Sequence, residues 1–108
     1  MLRARHILIQ YQGWWPSSRR HLERSATQAY DILVQLRLRI ISGESFADLA
    51  SVHSECASAQ EGGDLGTFLR GDMEAAFEAA LLELEEGEVS PIIRTRFGLH
   101  VIQRLSPA

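Results

Sequence analysis

Apolar residues near the start of the chain fall on both sides of an extended segment, Ile7 and Ile9 on one and Leu8 on the other. Residues 3–10 are therefore expected to form a central strand covered on both faces. Period two puts His6 on the Leu8 face, pointing into protein or a cleft rather than free solvent. From residue 25 the period changes. Ser25-Ala-Thr-Gln28 has the form of a capping box and Gly43 that of a stop, and together they bracket a helix. Ala29, Leu33, Leu36 and Ile40 recur at spacings of 4, 3 and 4 as its core stripe. Tyr30, Val34, Leu38 and Ile41 make a second stripe, roughly 120–140° round the axis at ~100° per residue. That arc is wider than a surface helix needs. Deep burial accounts for it, and a dimer or partner surface is the alternative.

Ser45-Phe-Ala-Asp48 opens a short helix running to about His53, with Phe46, Leu49 and Ala50 inward. Residues 54–67 read as a Gly-rich turn leading into a brief strand within Gly62–Phe68. Asp72 is expected to cap a third helix, on which Met73, Ala76, Phe77, Ala80 and Leu81 follow the i, i+3, i+4, i+7, i+8 pattern. Residues 89–94 and 99–105 read as two strands about a tight turn at Phe97-Gly98. Residues 11–24, with Gly13, Trp14, Trp15 and Pro16, form a long irregular loop. Loops of this length tend to be functional, and the two tryptophans fit either packing on the domain or a partner contact. The order is β-α-α-β-α-β-β. It predicts an α+β fold, a four-stranded antiparallel or mixed sheet flanked by about three to four helices.

Length and composition narrow this further. A chain of 108 residues, 23% charged and 7% aromatic, suits one soluble domain spanning residues 1–108. No apolar run approaches the ~18 residues of a membrane span, and no secretory leader stands at the N-terminus, so a cytoplasmic protein is expected. Cys56 is the single cysteine, so no internal disulfide can form; this agrees with a reducing compartment. One cysteine and four scattered histidines lack the paired spacing of a metal site, and neither metal nor cofactor is expected. Gly62-Gly-Asp-Leu-Gly66 is no phosphate loop, because it lacks the Gly-Lys-Ser/Thr ending. Charge is uneven. Residues 1–43 carry seven Arg against two acids, residues 44–93 twelve acids against one Arg, and residues 94–108 three Arg. Mutual attraction of these segments explains the pattern, and an overall pI of about 5.8 argues against a nucleic-acid partner.

Candidate chemistry sits at the two ends of the chain. His6 and His100 lie on the first and last strands, where hydrogen bonding between neighbours could bring them face to face. Cys56 stands in the connection leading back toward Asp64-Leu65. Met73 and Phe77 are expected one turn apart on the third helix, as walls of an apolar slot. Residue by residue, core histidines, a buried cysteine and a core helix stripe account for these positions as well as a shared active site does.

Over almost its whole length the chain resembles the parvulin family of peptidyl-prolyl isomerases. The matching segments are Arg5-His-Ile-Leu-Ile9, Gly43-Glu-Ser-Phe-Ala-Asp-Leu-Ala50, Ser54-Glu-Cys56, Gly62-Gly-Asp-Leu-Gly-Thr-Phe68, Arg70-Gly-Asp-Met73, Phe77-Glu-Ala-Ala80 and Phe97-Gly-Leu-His-Val-Ile102. The resemblance implies an enzyme that speeds rotation about X–Pro bonds in polypeptides, assisting folding or conformational switching without a cofactor. It implies that His6 and His100 are the paired active-site histidines. Cys56 corresponds to a residue beside the substrate carbonyl, and Thr95 to a hydroxyl in the histidine network. Leu65, Met73 and Phe77 correspond to the proline pocket. Phe97 is an aromatic resembling those of bacterial parvulins, where phosphoprotein-directed Pin-type members carry Ser.

The resemblance bears on substrate too. Pin-type parvulins read a phosphate before proline with a Lys shortly after the first histidine and two Arg in the following loop. Gln10 stands at the Lys position, and ungapped counting puts Trp15 and Pro16 at the Arg pair. A non-phosphorylated or loosely selective X–Pro substrate is expected. Arg19 and Arg20 in the same loop keep a phosphate-directed isomerase as the alternative, since Arg binds phosphate bidentately. A non-catalytic proline-peptide or chaperone module is the other alternative. A monomer is expected, with a dimer through the long helix as the competing arrangement, and neither nucleic acid nor membrane as partner.

Overall fold

The structure is a computed structural model, and it describes residues 1–12 and 24–107. Four strands, β1 (Leu2–Ile9), β2 (Asp64–Phe68), β3 (Ile93–Thr95) and β4 (Gly98–Leu105), form one sheet in the order β2-β1-β4-β3. Every pairing is antiparallel, which decides between the antiparallel and mixed sheets expected. The helices are α1 (Ala26–Ile41), α2 (Phe46–His53) and α3 (Ala75–Leu82), with a 3₁₀ turn at Ala57–Glu61 that the sequence pattern did not predict. The fold is α+β, as expected.

Alternation along the two central strands divides the core. Ile7 and Ile9 of β1, with Leu99 and Val101 of β4, pack with Leu33, Leu36, Phe46 and Leu49 of α1 and α2. Leu2 and Ala4 of β1, with Ile102 of β4, pack with Phe77 and Leu81 of α3. His6 shares the parity of Ala4, and His100 that of Ile102, so both rings belong to the α3 side.

The α1 ends are built as the sequence implies. Ser25 Oγ accepts from the Gln28 N–H at 3.1 Å, and Gln28 Oε1 accepts from the Ser25 N–H at 2.8 Å. Gly43 follows the helix at φ +108°, a conformation that L side chains rarely adopt. Ala29, Leu33 and Leu36 are buried. The second stripe is not. Tyr30, Leu38 and Ile41 are 50%, 53% and 58% exposed, which corrects the expectation of deep burial. One face of α1 covers the sheet; the other is only partly covered, with Tyr30, Val34 and Leu38 lining a pocket together with Pro91 and Ile92.

Two further boundaries differ from expectation. The third helix begins at Ala75 with Glu74 as N-cap, not at Asp72. Asp72 Oδ2 instead accepts from the Leu69 N–H at 2.9 Å and closes a turn before the helix, so Met73 lies outside α3. The expected strand over 89–94 shrinks to Ile93–Thr95, with a single bridge from Val89 to Gln103 upstream. Pro91 has no N–H for a ladder. Ser90 compensates: its N–H donates to Ile102 O at 2.7 Å, and its Oγ accepts from the Ile102 N–H at 2.9 Å. Attraction between chain segments also takes specific form, in the ion pairs Arg3–Asp64, Arg24–Glu55 and Arg39–Glu44. No helix among the described residues is long and apolar enough to cross a membrane.

Candidate active site

Strand register brings the histidines together. His6 is opposite Ile102 and His100 is opposite Leu8, so the two histidines are diagonal neighbours on one face of adjacent strands. Their rings stack with centroids 5.1 Å apart and planes 19° apart. Their Nδ1 atoms are 2.9 Å apart. Phe77 of α3 sets the edge of its contact against both, with centroids 5.6 Å from each ring at angles of 80° and 81°. These T-shaped contacts let an aromatic quadrupole meet each imidazole favourably.

Two Nδ1 atoms at hydrogen-bond distance hold one proton between them, because one must donate and the other accept. Thr95 Oγ1 lies 2.6 Å from His100 Nε2 and accepts from the Phe97 N–H at 3.1 Å. The hydroxyl is used most fully when its own proton goes to His100 Nε2. On that assignment His100 carries its proton on Nδ1 toward His6, and His6 carries its proton on Nε2. His6 Nε2 is buried and has no hydrogen-bond partner among the described residues.

Burial keeps both rings neutral. It lowers the His6 pKa to about 4. It lowers that of His100 to about 3, with the neighbouring His6 charge adding to the effect. Stability is therefore expected to fall as pH drops from 6.5, the ordinary histidine value, toward 4. In that window the unfolded histidines take up protons and the folded pair does not. The unfolded state binds more, and the slope approaches two protons, about 2.7 kcal/mol per pH unit. Urea denaturation at pH 7, 6, 5 and 4.5 measures it; equal stability at pH 7 and 5 would show that the rings ionise freely in the fold.

One cavity of about 210 Å³ opens beside the pair. His6, Cys56, Leu65, Met73, Phe77, Thr95, Phe97 and His100 all line it. The structure thus brings together every described residue expected at the histidine and proline-pocket positions. Arg19 and Arg20 lie outside the described residues, as do Trp14, Trp15 and Pro16. Two lining residues were missed, Leu8 and Glu74. Leu8 carried a signal, since it shares the His6 face of β1. Glu74 carried none, because an acid after Met73 reads as solvent-facing.

Other contacts fix the walls. Gly63 O accepts from the His6 N–H at 3.0 Å, next to the Arg5–Asp64 pair that follows the register shift between β1 and β2. Leu8 N–H donates to Ser54 Oγ at 3.0 Å and Leu8 O accepts from the Glu55 N–H at 2.8 Å, which pins the segment entering Cys56 beside β1. Glu55 Oε1 accepts from the Gln10 N–H at 2.6 Å and from Arg24 Nη1 at 2.7 Å. Cys56 is partly buried and unbonded to any other cysteine. Among the described residues no group of three or more His, Cys, Asp or Glu is placed to hold a metal ion.

Known proteins share this architecture. Residues 6–106 match the model of the rotamase family, the PPIC-type PPIase domain. A peptidyl-prolyl cis-trans isomerase Pin1 from Digitalis lanata is 44% identical over 111 residues, covering 95% of this chain and 94% of that protein. The solution structure of TbPIN1 superposes with a TM-score of 0.86 at 41% identity, covering 97% of this chain and 96% of that one. The peptidyl-prolyl isomerase ESS1 from Candida albicans has the same TM-score of 0.86 at 36% identity, covering 97% of this chain and 62% of that one. Fold, site and relatives together define a peptidyl-prolyl cis-trans isomerase, an enzyme acting on proline-containing peptides. Within that class, the chain belongs to the PPIC-type, or parvulin, family.

Proposed function

We propose that this isomerase seats the proline ring of an extended polypeptide in the cavity beside His6 and His100 and stabilises the twisted X–Pro amide without covalent chemistry. The supporting observation is the composition of that cavity: Leu65, Met73, Phe77 and Phe97 around a neutral, mutually hydrogen-bonded histidine pair. Rotation about a peptide bond must overcome a resonance barrier of ~18–20 kcal/mol. Uncatalysed X–Pro exchange takes ~10–100 s. An apolar slot immobilises the ring and withdraws the water that favours the planar, dipolar amide. His6 Nε2, the Cys56 thiol and the Thr95–His100 pair offer polar contacts with no fixed charge. A ~10⁴-fold acceleration needs only ~5.5 kcal/mol of preference for the twisted form.

The substrate we favour carries no obligatory phosphate. Gln10 stands where a Lys would read phosphate, and its amide donates to Phe97 O at 3.3 Å, which ties it to a residue of the cavity wall. Residues 1–108 act as one isomerase domain, monomeric and cytoplasmic, assisting folding or switching of client proteins, with no nucleic acid or membrane as partner. Exchange NMR on Leu-Pro, Glu-Pro and phospho-Ser-Pro peptides tests this. Accelerated exchange in all three is expected. A preference above ~100-fold for the phosphopeptide would instead assign Arg19 and Arg20 a phosphate, and binding shifts without accelerated exchange would make the cavity a docking site only. In the same assay Cys56→Asp is expected to keep substantial activity, because rotation requires no nucleophile; complete loss with the fold intact would make the thiol one.

A further inference from the structure

Glu74 stands in the wall of the cavity, at the N-cap of α3, and makes no capping hydrogen bond with its side chain. Its carboxylate is spent elsewhere. Both oxygens, Oε1 and Oε2, lie 3.1 Å from the Arg96 backbone N, so one N–H points between them. Arg96 is the first residue of the turn between β3 and β4, and its guanidinium carbon sits 4.9 Å from the Phe97 ring centroid. The next amide in that turn, Phe97 N–H, donates to Thr95 Oγ1, and Thr95 Oγ1 in turn meets His100 Nε2. A chain of contacts therefore runs from the α3 side of the cavity through the turn to the buried histidine.

We infer that Glu74 is a positioning residue for the isomerase: its carboxylate clasps the Arg96–Phe97 turn over the proline slot and thereby holds Thr95 against His100. This rests on the reading of the cavity as the reaction site. A charged acceptor suits the task, since hydrogen bonds to ionised groups are roughly twice as strong as neutral ones. Without the clasp the turn keeps the Phe97 N–H to Thr95 Oγ1 bond at 3.1 Å, and its side-chain tether from outside the hairpin is Gln10 to Phe97 O at 3.3 Å. The competing role for an acid here is electrostatic, a negative charge at a helix N-terminus. The two roles separate by substitution. Glu74→Gln removes the charge and keeps an oxygen acceptor, whereas Glu74→Ala removes both.

In Glu74→Ala, kcat is expected to fall about 10-fold with KM nearly unchanged, less than the ~100-fold that a ~1 Å misplacement can cause. The Arg96 amide should lose protection from hydrogen exchange, and the imidazole ¹⁵N shifts of His100 should move. Glu74→Gln should restore all three to near wild-type values. Equal losses of thermal stability in both variants, with activity and His100 shifts unmoved, would reduce Glu74 to a helix-end charge and overturn the inference. So would wild-type kcat in Glu74→Ala. Failure of the underlying site reading looks different: His100→Ala would then retain full activity, whatever the two Glu74 variants do.

Discussion

Gly63→Ala is expected to destabilise the protein by at least about 3 kcal/mol and to abolish isomerase activity at 37 °C. A Cβ on Gly63 would lie 2.4 Å from His6 O, 3.1 Å from Ala50 Cβ and 3.3 Å from His6 N. The nearest of these is backbone of β1, the strand that carries His6, and it cannot swing aside as a side chain could. Gly63 also sits at φ +83°, a region that costs an L residue roughly 1–2 kcal/mol by itself. Moving the strand would break the His6 N–H to Gly63 O bond and displace His6 from His100. Gly66→Ala is the control. Gly66 has φ +74° but nothing within 4 Å of the added carbon, so it carries the conformational cost without the collision. Urea titration of both variants separates the terms, and equal destabilisation would show that the close approach to His6 is not a constraint.

That close approach marks a limit of what a sequence shows. Paired glycines before a short strand read as a turn. That one of them meets the backbone of a strand nearly sixty residues earlier follows only from β2 lying beside β1. The elements themselves were legible, because hydrophobic period and helix-end chemistry are local. Ser25, Gln28 and Gly43 do what their types imply. Asp72 misled because Asp caps turns as readily as helices, and three residues away the chain supplied a turn for it to close. The strand over 89–94 misled because Val89, Ile92 and Ile93 have strand character while Pro91 between them removes a ladder donor.

For the site, parity along β1 placed His6 correctly with Leu8, yet parity cannot say which strand lies next. The order β2-β1-β4-β3 makes neighbours of residues 94 apart in sequence, and the His6–His100 hydrogen bond depends on that adjacency. The exposed α1 stripe teaches the converse. Tyr30, Leu38 and Ile41 are apolar at helical spacing, and spacing reports a face without reporting whether anything covers it. Glu74 escaped notice because nothing local marks an acid whose partner is a backbone amide 22 residues later.

Phe77 belongs both to the α3-side core and to the cavity proposed to hold proline, and its replacement is expected to damage stability and activity by separable amounts. The ring is 4% exposed, packs with Leu81 and Ile102, and presents T-shaped contacts to both histidines. Phe77→Ala should cost about 3–5 kcal/mol, the range for emptying an aromatic core position. It should also lower kcat/KM about 100-fold in the folded fraction, equivalent to ~2.7 kcal/mol of lost preference for the twisted amide. Part of that loss is a slot too wide to hold a proline ring. The rest comes from water reaching the histidines, which would let them ionise nearer the ordinary value and surrender their neutral hydrogen bond. Phe77→Leu separates the two contributions. Leu is smaller than Phe but fills much more of the site than Ala, so the variant should lose less stability than Phe77→Ala and remain folded. It keeps the slot dry but removes the aromatic contact with His6 and His100. Activity between those of wild type and Phe77→Ala is expected, together with histidine pKa values that stay low. Both quantities can be followed in one sample, by histidine ¹H–¹⁵N NMR across pH and by peptide exchange rates. If Phe77→Leu matched Phe77→Ala in activity while keeping its histidines neutral, ring geometry rather than dryness would be what the slot contributes. Wild-type activity in Phe77→Ala at full folding would remove this cavity from the reaction altogether.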